Sequence, residues 1–211
     1  MKAISYTHWS SQSINSVEQA MNNADVVLLA ISDDAIDLFL ETHSTLQNKP
    51  CVHFSGAHHS QLAWGYHPLM TFGQERFDQE TYESILFVQQ DDTPDFKNIF
   101  PCLTNPSIKI SAQDKAYYHA LCVMANNFTT LLWQKFFQEM SQRFNAHEDA
   151  MKTFLNQTLT NISANPEHAL TGPLIRNDQN TLKKNMEALS HDPFLCVYQS
   201  FVQSYQAKKS N

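Results

Sequence analysis

Four histidines lie close together in the sequence, and histidine is the side chain that most often binds a transition metal or moves a proton near neutral pH. They are His53, His58, His59 and His67. Zinc sites favour short, regular spacings, commonly with a cysteine or carboxylate ligand nearby. One histidine on a predicted strand, followed by a pair in a loop, does not have that spacing. We therefore expect no metal site here.

Polar residues follow two predicted buried strands at the point where each strand ends. Ser55 and Gly56 close one strand, and Asp33 with Asp34 follows the other, at residues 25–31. Ligands of open α/β sheets bind beyond the carboxyl ends of the strands, so these residues would face one cleft. The alternatives are that Gly56 only supplies a tight turn and that the two aspartates cap the next helix. For the aspartates we favour the cap.

A third group of polar residues lies on a long predicted helix, Ser111–Phe144, which contains no glycine or proline. His119 and Asn126 are seven residues apart, which places them on one face of that helix. They line a site, or they are core residues whose polar atoms bond to neighbouring helices. The apolar residues of this helix nearly surround its axis, which predicts burial between layers or between two subunits. We therefore expect a homodimer.

The elements that position these residues alternate between strand and helix up to residue 110 and are helical afterwards. Strands are predicted at residues 2–7, 25–31, 49–55, 84–89 and 107–110, with a loop or short strand at 67–72. Continuous apolar strands are typical of a parallel sheet covered by helices. The predicted fold class is α/β, with an α/β domain at residues 1–110 and a helical domain at 111–211.

Composition limits the kinds of partner. The 211-residue chain has 14 Lys and Arg against 21 Asp and Glu, a net charge of −7, which argues against a nucleic acid. No apolar run is long enough to cross a membrane, and the first residues do not form a signal peptide. The four cysteines are scattered, as in a reduced cytoplasmic protein. No common hydrolase or nucleotidase motif occurs. We expect a cytoplasmic protein with a small-molecule ligand.

Five segments in order resemble one particular family. They are DVVLLAISDDAI, VHFSGAH, HPLMTF, YYHALCVMANNF and ALTGPLIRND. Together they resemble the Rossmann-like, NAD(P)-dependent reductase-like proteins whose helical C-terminal half is a domain of unknown function. That family belongs to the phosphogluconate dehydrogenase-like superfamily and is similar to pyrroline-carboxylate reductase and prephenate dehydrogenase. The resemblance covers residues 16–189. It implies an NAD(P)-binding domain, a helical dimerisation domain and a substrate cleft between them.

The resemblance also implies roles for individual residues. In prephenate dehydrogenase a similar His-Pro follows the corresponding strand, so His67 would polarise a carbonyl or hydroxyl, assisted by His119. The alternative for His67 is a structural turn before Pro68. Arg176 would clamp a carboxylate, unless it forms only a surface ion pair. The implied substrate contacts are Ser55, Gly56, Asn126, Thr171, Gly172 and Arg176, and the implied cofactor contacts are Ser32 and Asp33.

One departure from the family pattern bears on the cofactor. The family opens with a G-x-G-x-x-G/A turn that binds the pyrophosphate of NADP or NAD, but this chain has no glycine before Gly56. We expect the first elements to be missing or collapsed into residues 1–23, with residues 2–7 in the vacant strand position. Hydroxyls of Ser10, Ser11 and Ser13 would then replace the glycine turn.

Two functions follow from this pattern. The first is an NAD(P)-dependent oxidoreductase-like protein acting on a small carbonyl or imine compound. The alternative is a catalytically inactive dimeric binding or assembly protein that has lost the dinucleotide-binding loop. A further possibility is that a separate chain supplies the missing strand.

Overall fold

The computed structural model describes residues 4–210 and contains a five-stranded sheet. Its strands are β1 (Val27–Leu29), β2 (Cys51–His53), β3 (Trp64–Pro68), β4 (Phe87–Gln90) and β5 (Ser107–Ile110). They lie side by side in chain order, and every neighbouring pair is parallel except β3 and β4, which are antiparallel. The predicted α/β class with a parallel sheet is therefore confirmed, with one antiparallel pair added.

Within residues 4–210, one short helix precedes β1 and three others lie between strands. They are α1 (Val17–Met21), α2 (Ile36–Thr42), α3 (Gln79–Ser84) and α4 (Phe96–Ile99), with 3₁₀ turns at Asp33–Ala35 and Ser44–Asn48. The single helix predicted at residues 35–46 is divided at His43, whose φ of −112° and ψ of 53° are not helical. Helix α3 was not predicted from the sequence. Its N-cap Asp78 accepts a hydrogen bond from the Thr81 amide at 2.8 Å.

Two hydrophobic clusters hold the sheet and its helices together. The first contains Val17, Val27, Leu29, Ile36, Leu40, Leu46, Cys51 and Ala63, and the second contains Val52, Tyr66 and Phe96. Burying an aliphatic or aromatic side chain of this size stabilises the fold by about 1.5–3 kcal/mol. Because β2 contributes to both clusters, the residues that follow its carboxyl end are held in place by packing on both sides.

The N-terminal edge of the sheet differs from the prediction. We expected β1 to be buried on both faces, but Leu28 is 51% exposed between buried Val27 and Leu29. Val26, two residues before Leu28 on the same face, packs against the second cluster, so that face is covered only in part. The predicted strand at residues 2–7 is also wrong where it can be seen, since residues 4–7 are not in a strand. Lys2 and Ala3 lie outside the described residues.

The long helix expected at residues 111–144 is helical but not uniform. It consists of α5 (Lys115–Cys122), a π-helical segment (Val123–Phe128) and α6 (Thr129–Phe144). Burial between two subunits stays a prediction, whereas burial between layers of the described chain is wrong, because large apolar side chains along the helix are exposed. They are Tyr117, Leu121, Met124, Phe128, Leu131 and Leu132.

Packing divides the chain into two compact units, Met1–Trp133 and Gln134–Asn211. The division falls inside α6, so α5 and the π-helical segment belong to the first unit. The domain boundary between residues 110 and 111 stays a prediction.

The second unit contains α7 (Glu148–Ala164), α8 (Gln179–Ala188) and α9 (Leu195–Ser210). Helix α8 begins as predicted, because the Asp178 carboxylate accepts a hydrogen bond from the Thr181 amide at 3.0 Å. None of the helices described within residues 4–210 is both long and apolar enough to span a membrane.

Candidate functional site

Ser55, which follows β2, forms a side-chain hydrogen bond with Asp33, which follows β1. Its hydroxyl donates to Asp33 Oδ2 at 2.5 Å and accepts from the backbone amides of Ala57 and His58 at 3.2 and 2.8 Å. A serine hydroxyl has one donor and two acceptor positions, so all of them are used. Ser55 was expected to contact a substrate, but this arrangement leaves its hydroxyl no free hydrogen bond. Its role in the structure is to position the turn that follows β2.

Asp33 faces this turn and does not cap a helix. The 3₁₀ turn Asp33–Ala35 has Ser32 as its N-cap, with no side-chain hydrogen bond, and Asp33 bonds to Ser55 instead. The cap we favoured for Asp33 is therefore wrong, because a polar partner on the next strand competes for its carboxylate. Ser32 and Asp33 follow the carboxyl end of β1, and their contact with a cofactor stays a prediction.

Gly56 is the point on which two imidazole rings converge. A Cβ atom added to Gly56 would lie 2.4 Å from His119 Cδ2, 3.2 Å from His119 Nε2 and 3.1 Å from His67 Nε2. Gly56 has no positive φ, so it is required by the space that the two rings occupy and not by a turn conformation. The structure thus brings together Gly56, His67 and His119, three of the residues that the sequence predicted.

His67 is held by a tyrosine from α5. Its Nδ1 lies 2.7 Å from the phenol oxygen of Tyr118, and the two rings meet edge to face at 5.6 Å. The pKa of His67 is lowered to about 4, chiefly by burial and also by the charges of His119 and Lys115, while the Asp33 carboxylate opposes the shift. Burial also raises the pKa of Tyr118. At neutral pH the pair is a neutral imidazole and a protonated phenol.

Lys115, at the start of α5, is buried beside this pair with only 3% of its surface exposed. Its ammonium donates to the carbonyl oxygen of His58 and to Gln90 Oε1. Burial lowers its pKa to about 8, and the Asp33 carboxylate opposes that shift, so Lys115 is still charged at pH 7. Gly65 makes room for it, since an added Cβ would lie 2.6 Å from Lys115 Nζ.

His53, the last residue of β2, is completely buried. Its Nδ1 accepts from the Ser55 amide at 3.3 Å, while its Nε2 has no hydrogen-bond partner. Its pKa is lowered to about 3, chiefly by burial and also by the charges of Lys115 and His58, while Asp33 and Asp37 oppose the shift. The buried Nε2 of His58 lies 3.2 Å from Asp37 Oδ2, close enough for an ion pair but without the alignment of a hydrogen bond.

His59 is the fourth histidine of the group, and its Nδ1 bonds to the side-chain amide of Gln90. The four rings therefore have separate partners on separate elements. Within residues 4–210, no three His, Cys, Asp or Glu side chains are arranged to hold a metal ion.

The other predicted site residues lie further along the chain. Asn126 is exposed in the π-helical segment, two turns beyond His119. Thr171, Gly172 and Arg176 belong to the second unit, in a turn where Gly172 has a φ of 90°. Arg176 is exposed. Its charge adds to the hydrogen bonds from Thr181 that hold the pKa of Asp178 below its usual range.

Sequence reasoning missed Lys115 and Tyr118. Their one sequence signal was position, since both stand in the first two turns of the helix that follows β5. Tyr118 also directly precedes His119.

The turn at residues 10–13 does not fit the pyrophosphate of a dinucleotide. In the turn expected to replace the glycine loop, Ser13 Oγ accepts from the Ser10 amide at 3.0 Å and Ser10 Oγ accepts from the Gln12 amide at 3.3 Å. These amides and hydroxyls bond to one another, whereas a phosphate site needs amides that point outward. Between residues 4 and 55 there is also no glycine that would let a phosphate approach the backbone.

Comparisons with known proteins agree with the fold. Residues 88–205, more than half of the chain, match the family described as "Domain of unknown function (DUF2520)". A candidate NADP oxidoreductase of Bacteroides fragilis has a similar structure, with a TM-score of 0.68 and 21% identity over 86% of this chain and 75% of that one. Protein TM1727 of Thermotoga maritima gives a TM-score of 0.66 and 19% identity over 91% and 87% of the two chains.

A third similar structure is a semialdehyde dehydrogenase NAD-binding protein of Cupriavidus necator, in complex with calcium and NAD. It gives a TM-score of 0.50 and 15% identity over 92% of this chain and 81% of that one. A comparison with curated proteins gives no significant match. At these identities the similarity is one of fold. The chain has the α/β architecture of Rossmann-like NADP oxidoreductase structures.

Proposed function

The chain belongs to the DUF2520 family, and from that premise we propose that it is an oxidoreductase-like protein that acts on a small carbonyl or imine compound. The family match agrees with the resemblance read from the sequence. The observation that supports this function most directly is the convergence of His67 and His119 on Gly56, at the carboxyl end of β2. Ligands of sheets with this architecture bind at that end of the strands.

The chemistry of the two rings suits a polar double bond. His67 is neutral at pH 7 because burial lowers its pKa, so it can hydrogen-bond a substrate atom without first losing a proton. The imidazole of His67 is partly buried and is held in place by Tyr118. Its hydrogen bond to the substrate atom therefore becomes stronger as negative charge develops on that atom during a reaction. His119 brings a second ring nitrogen close to the same glycine, since its Nε2 would lie 3.2 Å from a Cβ atom on Gly56.

NADP or NAD is the cofactor that the resemblance implies, and two of the similar structures are named for NADP or NAD. The turn at residues 10–13 does not supply the amides that a pyrophosphate needs. The residues of this chain therefore account for binding and polarising the substrate.

That misfit favours a second candidate, a dimeric binding or assembly protein without redox activity. In this proposal the two copies meet through an apolar stripe along α5, the π-helical segment and the start of α6. The stripe consists of Tyr117, Leu121, Met124, Phe128 and Leu131, which are 69%, 47%, 56%, 49% and 51% exposed. Spacings of four and three residues are those of helices that pack along one another. We propose the homodimer for both candidates.

We also place the protein in the cytoplasm, where thiols stay reduced. This placement is supported by its cysteines, all four of which are free.

The experiment that separates the two candidates is thermal unfolding of the protein with NADPH, with NADH and without a nucleotide. A nucleotide at a hundredfold excess over its dissociation constant stabilises the native state by about 2.7 kcal/mol. For a chain of this length that corresponds to a rise in Tm of about 5–11 °C, since each 1 kcal/mol raises it by about 2–4 °C. A rise with one nucleotide supports the oxidoreductase and selects its cofactor. No rise with either nucleotide supports the dimeric binding protein.

A further inference from the structure

We infer that the ring of His119 is a gate, which fills the place beside Gly56 in this structure and must rotate away before a small carbonyl compound can reach His67. The inference rests on the proposed function and deepens it, because it states how access to the same site is controlled. It also separates the roles of the two histidines. His67 is the fixed wall of the site, and His119 is the part that moves.

The first observation is that the His119 ring lies directly against Gly56. A Cβ atom added to Gly56 would be within clash distance of His119 Cδ2 and 3.2 Å from His119 Nε2. Gly56 has no positive φ, so its backbone conformation does not require a glycine. The missing side chain therefore provides a place for one flat ring at the end of β2, and in this structure His119 occupies it.

His67 borders the same place and is held there. Its Nε2 lies 3.1 Å from the Cβ position on Gly56, and its ring meets the His119 ring edge to face, with the ring centroids 6.1 Å apart. Its Nδ1 is 2.7 Å from the phenol oxygen of Tyr118. Rotation of His67 would break this hydrogen bond in a partly buried position, which is unfavourable. The ring of His67 is therefore fixed.

His119 has no such restraint. Its ring nitrogens have no hydrogen-bond partner among residues 4–210, and its ring packs against His67 only edge to face. The side chain is half-buried, so part of it already faces solvent. Its neighbours Ala116 and Ala120 on α5 are exposed and carry only a methyl group. A change to another staggered rotamer therefore breaks no hydrogen bond and leaves no buried polar atom without a partner.

This difference decides which ring gives way to a ligand. A ligand beside His67 needs the place that His119 holds, so it binds only to molecules in which the His119 ring has left, and it shifts the population toward them. The apparent affinity is lowered by the fraction of open molecules. The structure has the closed rotamer, so we take that fraction as about one tenth or less. The vacated place also limits size, and the reacting part of the substrate is no larger than a five-membered ring.

The first test uses the wild-type protein and the reaction of its histidines with diethyl pyrocarbonate at pH 7, followed residue by residue by mass spectrometry. The probe is cyclopentanone, a five-membered cyclic ketone. We expect it to slow the modification of His67, which it covers, and to speed that of His119 severalfold, because the displaced ring is more exposed. A histidine that only packs against Gly56 would be protected or unchanged. His168, an exposed histidine of the second unit, is the internal control and should react at the same rate with and without the probe.

The second test removes the gate. In His119→Ala we expect cyclopentanone to shift the NMR signals of His67 at concentrations at least about tenfold lower than in the wild type, since every molecule is then open. The signals of His67 are identified by their loss in His67→Gln. Imidazole, which has the shape of the removed ring, should raise the Tm of His119→Ala. The double variant Gly56→Ala, His119→Ala is the matched control, because its new methyl group takes part of the vacated place and should abolish the response to imidazole.

Three results would overturn the inference. Protection of both His67 and His119 by cyclopentanone shows that a ligand binds with the gate in place, which contradicts the gate and leaves the proposed function intact. Equal cyclopentanone concentrations for the wild type and His119→Ala, or no rise in Tm with imidazole in that variant, contradict the filling of a ligand position by His119. If cyclopentanone affects His67 in neither protein, the gate and the proposed substrate class are contradicted together.

Discussion

The hydroxyl of Ser55 and the carboxylate of Asp33, 2.5 Å apart, connect the ends of two neighbouring parallel strands. This contact sets the geometry of the whole cluster, because the turn that begins at Ser55 carries Gly56 and His58. Its loss should therefore affect the site as well as stability.

Replacing Ser55 with alanine removes three hydrogen bonds at once. A bond of this kind contributes about 0.5–1.5 kcal/mol, and solvent weakens the exposed one to Asp33, so we expect a loss of roughly 1–2 kcal/mol. Urea unfolding measures it. Ser55→Thr keeps the hydroxyl and should lose less. Ser11→Ala, at an exposed serine, should change nothing, and an equal loss in both alanine variants would refute the connecting role.

Gly56→Ala should disturb His119 directly, since the new methyl group would lie 2.4 Å from His119 Cδ2. We expect a destabilisation of about 1–3 kcal/mol and displacement of the His119 ring. Gly73→Ala is the control, because nothing lies within 4 Å of a Cβ at Gly73. The double variant Gly56→Ala, His119→Ala should recover most of the lost stability. Thermal unfolding of Gly56→Ala, Gly73→Ala and the double variant measures this. No recovery would mean that the cost arises elsewhere.

Stability should fall as the pH falls below about 6.5. In this range the histidines of the unfolded chain take up protons, whereas native His67 and His53 stay neutral down to about pH 4 and 3. Unfolding therefore takes up protons, and the free energy of unfolding decreases by at most about 1.4 kcal/mol per pH unit for each histidine, less after solvent screening. His67→Gln should give a shallower slope between pH 6.5 and 4. Parallel slopes would contradict the burial of a neutral His67.

Lys115→Met should raise the pKa of His67, because it removes a neighbouring positive charge. The new value should remain below 6.5, since burial is the larger cause and is unchanged. Titration of the His67 ring by NMR measures it directly. Lys97→Met, at an exposed lysine, serves as the control and should have no effect. A fall in the pKa of His67 would show that Lys115 does not act on it through its charge.

The proposed dimer should dissociate when charge is placed on the apolar stripe. Leu121→Glu combined with Phe128→Glu puts two carboxylates where apolar surfaces would meet. In sedimentation equilibrium at micromolar concentration the wild type should be a dimer and this variant a monomer. Leu38→Glu also charges an exposed leucine, but one outside the stripe, and should remain dimeric. A monomeric wild type would rule out the dimer.

Local patterns in the sequence were sufficient for elements that depend on near neighbours. Strand β5 begins and ends where predicted, and Asp178 caps α8 because a capping side chain acts three residues away. Helix α3 was missed because its six residues contain no apolar period that distinguishes a helix from a loop. The exposure of Leu28 was missed because an apolar run does not reveal whether both sides of a strand are covered.

The site was predictable only in part for a similar reason. Ser55, Gly56, His67 and His119 were found because each stands at a strand end or on a marked helix face. Their partners are distant in sequence: Tyr118 is 51 residues from His67, and Lys115 is 57 residues from His58. A lysine in the sequence is ordinarily a surface residue, and only the packing of α5 against the sheet reveals that this one is buried.

The outer edge of β1 has a consequence for how copies of the chain behave in concentrated solution. An unpaired edge with an outward leucine can pair with the same edge of another molecule and begin aggregation. Here the strand is only three residues long and has Asp25 on one side and Asp33 on the other. Like charges at both ends repel a second edge. The net charge is zero near the isoelectric pH of about 5.7, so the overall repulsion between molecules is lost there. Precipitation should therefore begin near that pH and should not occur in solutions kept well above it.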